Sequence, residues 1–212
     1  MKKIVLIGDS IRQGYDKYVK KAFNGIAEVF YPSDNCRFTS YVLRNLTEWA
    51  EEMGCGEDVD LVHWNAGLWD DLVMIDGKQL VSIEHYAENV QRICDVIKIL
   101  FPKAKIVFAT STPVQEELFL GKLKRYNCDT KAYNEKAIQI VKANGGYIDD
   151  IYSVVENCPK EYYSDLTHLY TKNGTKIITE QVVTVIENVL GVKANNLDFE
   201  ALFSGEKNAT GM

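Results

Sequence analysis

The sequence lacks the features of nucleic-acid-binding and membrane-spanning proteins. Its 24 Lys and Arg residues are outnumbered by 30 Asp and Glu residues, which gives a formal net charge of −6. An acidic chain offers no general surface to nucleic acids or anionic membranes, because both attract basic patches. No apolar run approaches the ~18 residues that a membrane-spanning helix requires. The sequence therefore predicts no nucleic-acid partner and no membrane insertion.

Cysteine pairs with disulfide or metal-binding spacing are also missing. The five cysteines, at positions 36, 55, 94, 128 and 158, are odd in number, and no two have C-x-x-C spacing. This pattern indicates neither a disulfide framework nor a zinc ribbon, and reduced thiols predict a cytoplasmic protein. The amino-terminal segment MKKIVLIGDS begins like a signal peptide, but Asp9 ends its apolar run after five residues. We therefore interpret this segment as a first β-strand.

Short apolar runs alternate with helical periodicity along the 212 residues. The predicted strands are 4–7, 27–31, 59–64, 105–109 and 147–148, and the predicted helices are 12–23, 41–53, 83–101, 131–144 and 178–190. This alternation predicts an α/β fold, a three-layer α/β/α sandwich around a mainly parallel sheet. At ~150 residues per domain, the length predicts one domain, which we place at residues 1–192. Residues 193–212 turn polar and predict a carboxyl-terminal tail that ends in the frayed segment SGEKNATGM. Within this tail, the candidates to dock before that segment are Leu197, Phe199, Leu202 and Phe203.

The end of the first predicted strand carries a candidate nucleophile. In open α/β sheets, ligands bind at the carboxyl ends of the strands, and Gly8, Asp9 and Ser10 stand at such an end. The Ser10 hydroxyl is expected at the sheet edge, with its backbone N–H at a helix amino terminus where positive partial charge accumulates. This placement suits a nucleophile that leaves an oxyanion beside it. The alternative interpretation is an ordinary serine cap of a helix.

A serine nucleophile needs a base within hydrogen-bond reach, and the chain has only three histidines. His63 lies within an apolar run and is typical of a core histidine, whereas His85 lies on the polar face of a long helix. His168 lies in a loop-like stretch with Asp165 three residues before it. One turn would bring the carboxylate to Nδ1 while Nε2 faces a serine. The alternative is an aspartate that caps a turn beside a surface histidine.

The two weak signals occur together in one domain, and at this point the sequence resembles the GDSL/SGNH hydrolase family of serine esterases and acyl hydrolases. The resemblance spans about residues 3–190 and is carried mainly by IVLIGDSIRQGY (4–15) and SDLTH (164–168). It implies that Ser10 is the nucleophile, His168 the general base and Asp165 its orienting residue. It also implies a flavodoxin-like sandwich with about five parallel strands, so that residues 1–192 form the catalytic domain.

The family's other two sequence blocks, which supply oxyanion donors, match less well. Where the family has a glycine in its second block, the best counterpart is Cys36, directly before Arg37. The third block is usually Gly-x-Asn, but a straight alignment on Gly67 puts Trp69 at the asparagine position. Asn65 is the nearby amide and is our candidate. The resemblance thus implies an oxyanion hole made by Ser10, Cys36 and Asn65, with a pocket wall that includes Asp9, Arg37, Gly67, Trp69 and segment 110–128.

Metals and nucleotide cofactors are not predicted. His63, Asp70 and Asp71 are the nearest candidate ligands, but no H-x-H or H-E-x-x-H spacing supports them, and the chain lacks G-x-G-x-x-G and the lysine of a P-loop.

Cys36 at a helix start is a less favoured nucleophile than Ser10, because no histidine is near it in sequence.

The expected function is hydrolysis of short-chain acyl esters, including carbohydrate O-acetyl esters, through an acyl-enzyme. The partner is therefore a small-molecule or carbohydrate ester. A catalytically silent ligand-binding domain of the same fold remains the alternative, because the second and third blocks are irregular. The sequence does not specify the oligomeric state.

Overall fold

The computed structural model describes residues 1–204, and its centre is one parallel β-sheet. The strands are β1 (Lys2–Ile7), β2 (Ala27–Phe30), β3 (Leu61–Trp64), β4 (Lys105–Ala109) and β5 (Tyr147–Asp149). Their order in the sheet is β2-β1-β3-β4-β5, and every neighbouring pair is parallel. The carboxyl ends of all five strands therefore meet at one edge of the sheet.

Helices cover both faces of this sheet. They are α1 (Ser10–Ala22), α2 (Thr39–Glu52), α3 (Ile83–Leu100), α4 (Asn127–Ala143), α5 (Ile151–Val155), α6 (Lys172–Leu190) and α7 (Phe199–Ser204). One buried apolar cluster joins the sheet to α2, α3 and α4, and the other joins it to α1, α5 and α6. The predicted three-layer α/β/α sandwich with five parallel strands is confirmed.

The alternation of side chains along β1 shows why a strand in this fold reads as an apolar run. Val5 and Ile7 belong to one buried cluster, whereas Ile4 and Leu6 belong to the other. Successive residues of a strand point to opposite faces, so a strand covered by helices on both faces needs apolar residues at every position.

Helix starts differ most from the sequence prediction. The first helix begins at Ser10 rather than residue 12, because the Asp9 carboxylate accepts a hydrogen bond from the Ile11 N–H at 2.9 Å. The last long helix begins at Lys172 rather than residue 178, where Thr171 caps the Gly174 N–H. Apolar periodicity locates the middle of a helix, whereas polar caps determine where it starts.

Residues 193–204 pack against the layer formed by α1 and α6. The Asn195 N–H donates to the Ala22 carbonyl at 2.8 Å, and Phe199 is only 5% exposed. The Phe203 ring stacks on Tyr18 with centroids 5.7 Å apart. The boundary of a separate tail at residue 193 stays a prediction, and residues 205–212 of that predicted tail lie outside the described residues.

No helix within residues 1–204 combines the length and the apolar character needed to cross a bilayer. The five cysteines are all free thiols. The cytoplasmic location stays a prediction.

A buried guanidinium ties α1 to the loop that follows β2. Arg12 is 1% exposed, and its Nη1 donates to Asp16 Oδ2 at 2.5 Å and to the Pro32 carbonyl at 3.1 Å. Its Nη2 donates to the Asp34 carbonyl at 2.5 Å, and its Nε donates to the Gly8 carbonyl at 3.3 Å. This one side chain therefore holds the loop against the carboxyl end of β1.

We expect Arg12→Ala to lower the free energy of unfolding by ~3–5 kcal/mol, because the substitution leaves the largely buried Asp16 carboxylate without its cation. Denaturant titration measures this loss. Arg44→Ala is the matched control, since Arg44 forms an ion pair with Glu48 at the same i,i+4 spacing but with both side chains exposed. Exposed pairs contribute little, so equal losses for the two variants would contradict the role given to burial.

Candidate active site

The predicted nucleophile, base and orienting carboxylate meet at the carboxyl edge of the sheet. The Ser10 Oγ and the His168 Nε2 are 2.8 Å apart, although the two residues are 158 positions apart in the chain. The His168 Nδ1 lies 2.8 Å from Asp165 Oδ2 and 3.0 Å from Oδ1. A carboxylate only accepts, so Nδ1 carries the proton and Nε2 is left to accept from the serine hydroxyl. The structure therefore brings the three residues into one hydrogen-bonded chain.

Asp165 also fixes the loop that carries the histidine. Its Oδ1 accepts the backbone N–H of Thr167 at 2.7 Å and that of His168 at 2.8 Å. Partial burial raises the pKa of Asp165, but these hydrogen bonds outweigh burial and leave the pKa below its ordinary value. The carboxyl group is therefore ionised near neutral pH and presents acceptors to the imidazole.

The strand end before Ser10 is held by a second carboxylate, which is buried. The fully buried Asp9 caps α1 and accepts the Asn65 amide Nδ2 at 3.0 Å. Burial raises the pKa of Asp9, and the hydrogen bonds from Asn65 and Ile11 oppose that rise. Gly8 makes this approach possible, since a Cβ at that position would lie 2.0 Å from Asn65 Oδ1. The Asn65 side chain, just after β3, is thus hydrogen-bonded to Asp9, just after β1.

Both of the other predicted oxyanion donors, Cys36 and Asn65, already donate hydrogen bonds to groups within the protein. The backbone N–H of Cys36 donates to the Gly8 carbonyl at 3.1 Å. Because a backbone N–H has one hydrogen, the structure does not place Cys36 in the predicted donor role, and this expectation is corrected. The Asn65 amide carries two N–H groups, of which one is given to Asp9. Asn65 fits the donor role only through its second hydrogen.

Arg37, the residue after Cys36, has a backbone conformation that its residue type did not indicate. Arg37 is the only non-glycine residue with positive φ in the described part of the chain, at +49°. This left-handed region favours glycine, which is the residue that the family has in this block. The Arg37 N–H donates to Asn35 Oδ1 at 3.0 Å, and its exposed guanidinium lies over the Tyr41 ring at 4.7 Å. The chain thus makes a left-handed turn without glycine at Arg37, one residue after Cys36, our counterpart of the family's glycine.

Gly67 lets the loop after β3 pass close to the end of β4. A Cβ at this position would lie 2.4 Å from Ser111 Oγ, so a side chain would force the two loops apart. Trp69, two residues later, is half-buried. Gly67 and Trp69 therefore belong to the loop that adjoins the strand ends, and their part in a pocket wall stays a prediction.

The acidic pair after Trp69 anchors this same loop. Asp70 accepts from the backbone N–H and the hydroxyl of Thr39, and Asp71 accepts from the Thr130 hydroxyl at 2.6 Å. Burial raises the pKa of each carboxyl group to about 7, although these hydrogen bonds oppose the rise. His63 instead lies in the core, with its Nε2 2.9 Å from an aspartate of β5. The structure does not bring these three candidate ligands together.

No family model matches the chain. A curated relative, the GDSL esterase/lipase WDL1 of Oryza sativa subsp. japonica, is 23% identical over 117 residues. The match covers 50% of this chain and 45% of that protein, so it spans less than half of the relative.

Solved structures match over most of their length. A GDSL-like lipase from Bacteroides thetaiotaomicron is 18% identical, with 88% of each chain covered and a TM-score of 0.67. A lipase/acylhydrolase from Enterococcus faecalis is 20% identical, with 89% of this chain and 96% of that chain covered and a TM-score of 0.67. The acetyl xylan esterase AlAXEase is 13% identical, with 87% of this chain and 99% of that chain covered and a TM-score of 0.68. This chain therefore has the fold of the GDSL-like lipases and acylhydrolases, and the family resemblance predicted from its sequence is confirmed.

Proposed function

We propose that this protein is a serine esterase that hydrolyses acyl esters through an acyl-enzyme intermediate. The observation that carries the proposal is the hydrogen-bonded chain from Ser10 through His168 to Asp165. A weak nucleophile beside a base that is itself oriented by a carboxylate is the arrangement that nucleophilic catalysis needs. The curated GDSL esterase/lipase relative and the acylhydrolase fold neighbours support the same chemistry.

The reaction begins when the Ser10 Oγ attacks the ester carbonyl and His168 Nε2 takes the hydroxyl proton. Asp165 holds the opposite N–H and stabilises the imidazolium. As the tetrahedral intermediate collapses, His168 gives its proton to the departing alcohol oxygen, which leaves the acyl group on Ser10. Water then attacks the acyl-enzyme while His168 takes a proton from it. Collapse of the second intermediate returns this proton to Ser10 Oγ and releases the carboxylic acid.

The negative charge on the carbonyl oxygen needs donors on the side away from the base. In our proposal, the Ser10 N–H at the amino terminus of α1 supplies one donor, helped by the helix dipole. The second amide hydrogen of Asn65 supplies the other, and its bond to Asp9 fixes the amide plane. A donor of this type contributes about 3–4 kcal/mol to the transition state in measured cases.

The substrate that we propose is an ester with a short acyl group, including carbohydrate O-acetyl esters. The fold neighbour named as an acetyl xylan esterase supports the carbohydrate class. We further propose a cytoplasmic location, which the free thiols favour.

Ser10→Ala and His168→Ala are each expected to lower kcat on p-nitrophenyl acetate by several orders of magnitude. The double variant should lose little more, because a triad acts as a unit. Covalent labelling by a fluorophosphonate, read by mass spectrometry, should fall on Ser10 and disappear in Ser10→Ala. Ser33→Ala and His85→Ala, both at exposed positions, are the matched controls and should keep full activity. A folded protein that neither turns over nor labels would favour the ligand-binding alternative.

We expect Asp165→Asn to lower kcat by about 10²–10⁴-fold, because the new amide can donate to Nδ1 and so favour the wrong imidazole tautomer. The remaining amide oxygen still accepts the two backbone N–H groups, so the loop and the melting temperature should be kept. Asp150→Asn is the control, since Asp150 also caps a backbone N–H, that of Ser153 in the first turn of α5. Equal steady-state rates for wild type and Asp165→Asn would remove Asp165 from the mechanism.

We expect kcat/KM to fall at least tenfold from acetyl to octanoyl p-nitrophenyl esters, because the short acyl group that we propose follows the fold neighbour named as an acetyl xylan esterase. Release of acetate from acetylated oligosaccharides tests the carbohydrate class directly. A preference for the octanoyl ester would contradict the short-chain proposal while leaving the esterase proposal intact.

A further inference from the structure

One aromatic side chain contacts both the base and the nucleophile's residue. Tyr170 lies between His168 and the cap of α6, and its ring stacks on the imidazole with centroids 4.6 Å apart and planes 25° apart. Its hydroxyl donates a hydrogen bond to the backbone carbonyl of Ser10. These two contacts link the loop of the base to the first turn of the nucleophile's helix.

A glycine makes room for this ring. Gly14 lies in the interior of α1, one turn after Ser10, where glycine is less favourable than alanine. A Cβ at position 14 would lie 2.6 Å from Tyr170 Cε1 and 2.9 Å from Cδ1. The sequence thus has an unfavourable helix residue at the point where the tyrosine ring approaches the backbone.

The stacking restrains a motion that the carboxylate does not. The hydrogen bonds that His168 Nδ1 donates to the Asp165 carboxylate hold the imidazole at that nitrogen, in the plane of the ring, but they leave tilting about it weakly restrained. An aromatic ring against one face of the imidazole opposes this tilt and keeps Nε2 directed at Ser10. Burial raises the pKa of Tyr170 to about 12, so its hydroxyl stays protonated and donates at neutral pH.

We propose that Tyr170 is a positioning residue that holds the His168 imidazole and the Ser10 backbone in reactive alignment, with Gly14 providing the space for its ring. This inference rests on the proposed esterase function. Tyr170 acts through Ser10 and His168 and takes no part in proton transfer. Its loss therefore lowers kcat and the rate of fluorophosphonate labelling while KM changes little.

The test compares Tyr170→Phe, Tyr170→Ala and Gly14→Ala. Phe keeps the stacked ring and loses one hydrogen bond, so kcat should fall about 2–10-fold, the range that one hydrogen bond supports. Ala loses both contacts and should lower kcat at least tenfold further. Gly14→Ala removes no contact atom and improves helix propensity, yet it displaces the ring and should lower kcat about as much as Tyr170→Ala.

Two controls separate positioning from general packing. Tyr147→Phe alters a similarly exposed tyrosine at the opposite edge of the sheet, and Gly56→Ala adds a methyl group to a glycine with open space around it. Both should leave kcat and labelling at wild-type values. Melting temperatures of all variants should stay close to that of wild type, since a purely structural role would lower stability together with activity.

A spectroscopic readout does not depend on activity. The stacked Tyr170 ring shifts the carbon-bound imidazole protons of His168 upfield by its ring current. This shift should persist in Tyr170→Phe and disappear in Tyr170→Ala and Gly14→Ala. With only three histidines in the chain, the resonance is assigned by comparison with His168→Ala.

The possible failures are distinguishable. A wild-type protein that labels and turns over, with Tyr170→Ala equal to it in kcat, overturns the positioning role and leaves the esterase proposal standing. A wild-type protein that neither labels nor turns over overturns the esterase proposal and the positioning role with it. A fall in kcat that follows a fall in melting temperature, without rescue by Phe, assigns Tyr170 to structure alone and also overturns the inference.

Discussion

The hydrogen bond between Ser10 Oγ and His168 Nε2, at 2.8 Å, joins groups from opposite ends of the chain. It forms because α1 and α6 lie on the same face of the sheet and share one buried apolar cluster. The helix that begins at the nucleophile and the helix that follows the base are therefore neighbours. The parallel topology places the serine at the carboxyl edge, and helix packing brings the histidine to it.

The two partners of this bond are held by different means. The serine follows a fully buried aspartate, and the neighbouring turn is tied down by a guanidinium that is 1% exposed. The histidine lies in a loop whose Asp165 side chain is 47% exposed. The proposed nucleophile is thus held by contacts in the core, whereas the proposed base is held by contacts near the surface. Asp165 and the Tyr170 ring are both partly exposed. In our proposal they nevertheless determine the orientation of the His168 imidazole, because no core contact within the described residues does so.

The sequence was sufficient for the fold, and it indicated the three residues that the structure joins in one hydrogen-bonded chain, whose catalytic roles stay a proposal. Apolar runs buried on both faces predict a parallel sheet, and Ser10 and Asp165–His168 stand beside recognisable motifs. The oxyanion donors could not be obtained in the same way. Whether Cys36 N–H is engaged depends on the Gly8 carbonyl of another strand end, and the positive φ of Arg37 has no counterpart in residue type. Local patterns do not encode such tertiary contacts.

The irregular second block lowers the transition-state stabilisation that we expect, but it leaves the proposed nucleophile and base in place. Because the Cys36 N–H is bonded to Gly8, our proposal assigns the oxyanion to the Ser10 N–H and the second amide hydrogen of Asn65. Lack of one donor costs about 3–4 kcal/mol, which is roughly 10²–10³ in rate. A triad retains its nucleophile and base under this loss, since proton transfer between Ser10 and His168 does not involve the donor. If the proposed function holds, we expect a slow esterase in which alignment of the base has a large share in the remaining rate.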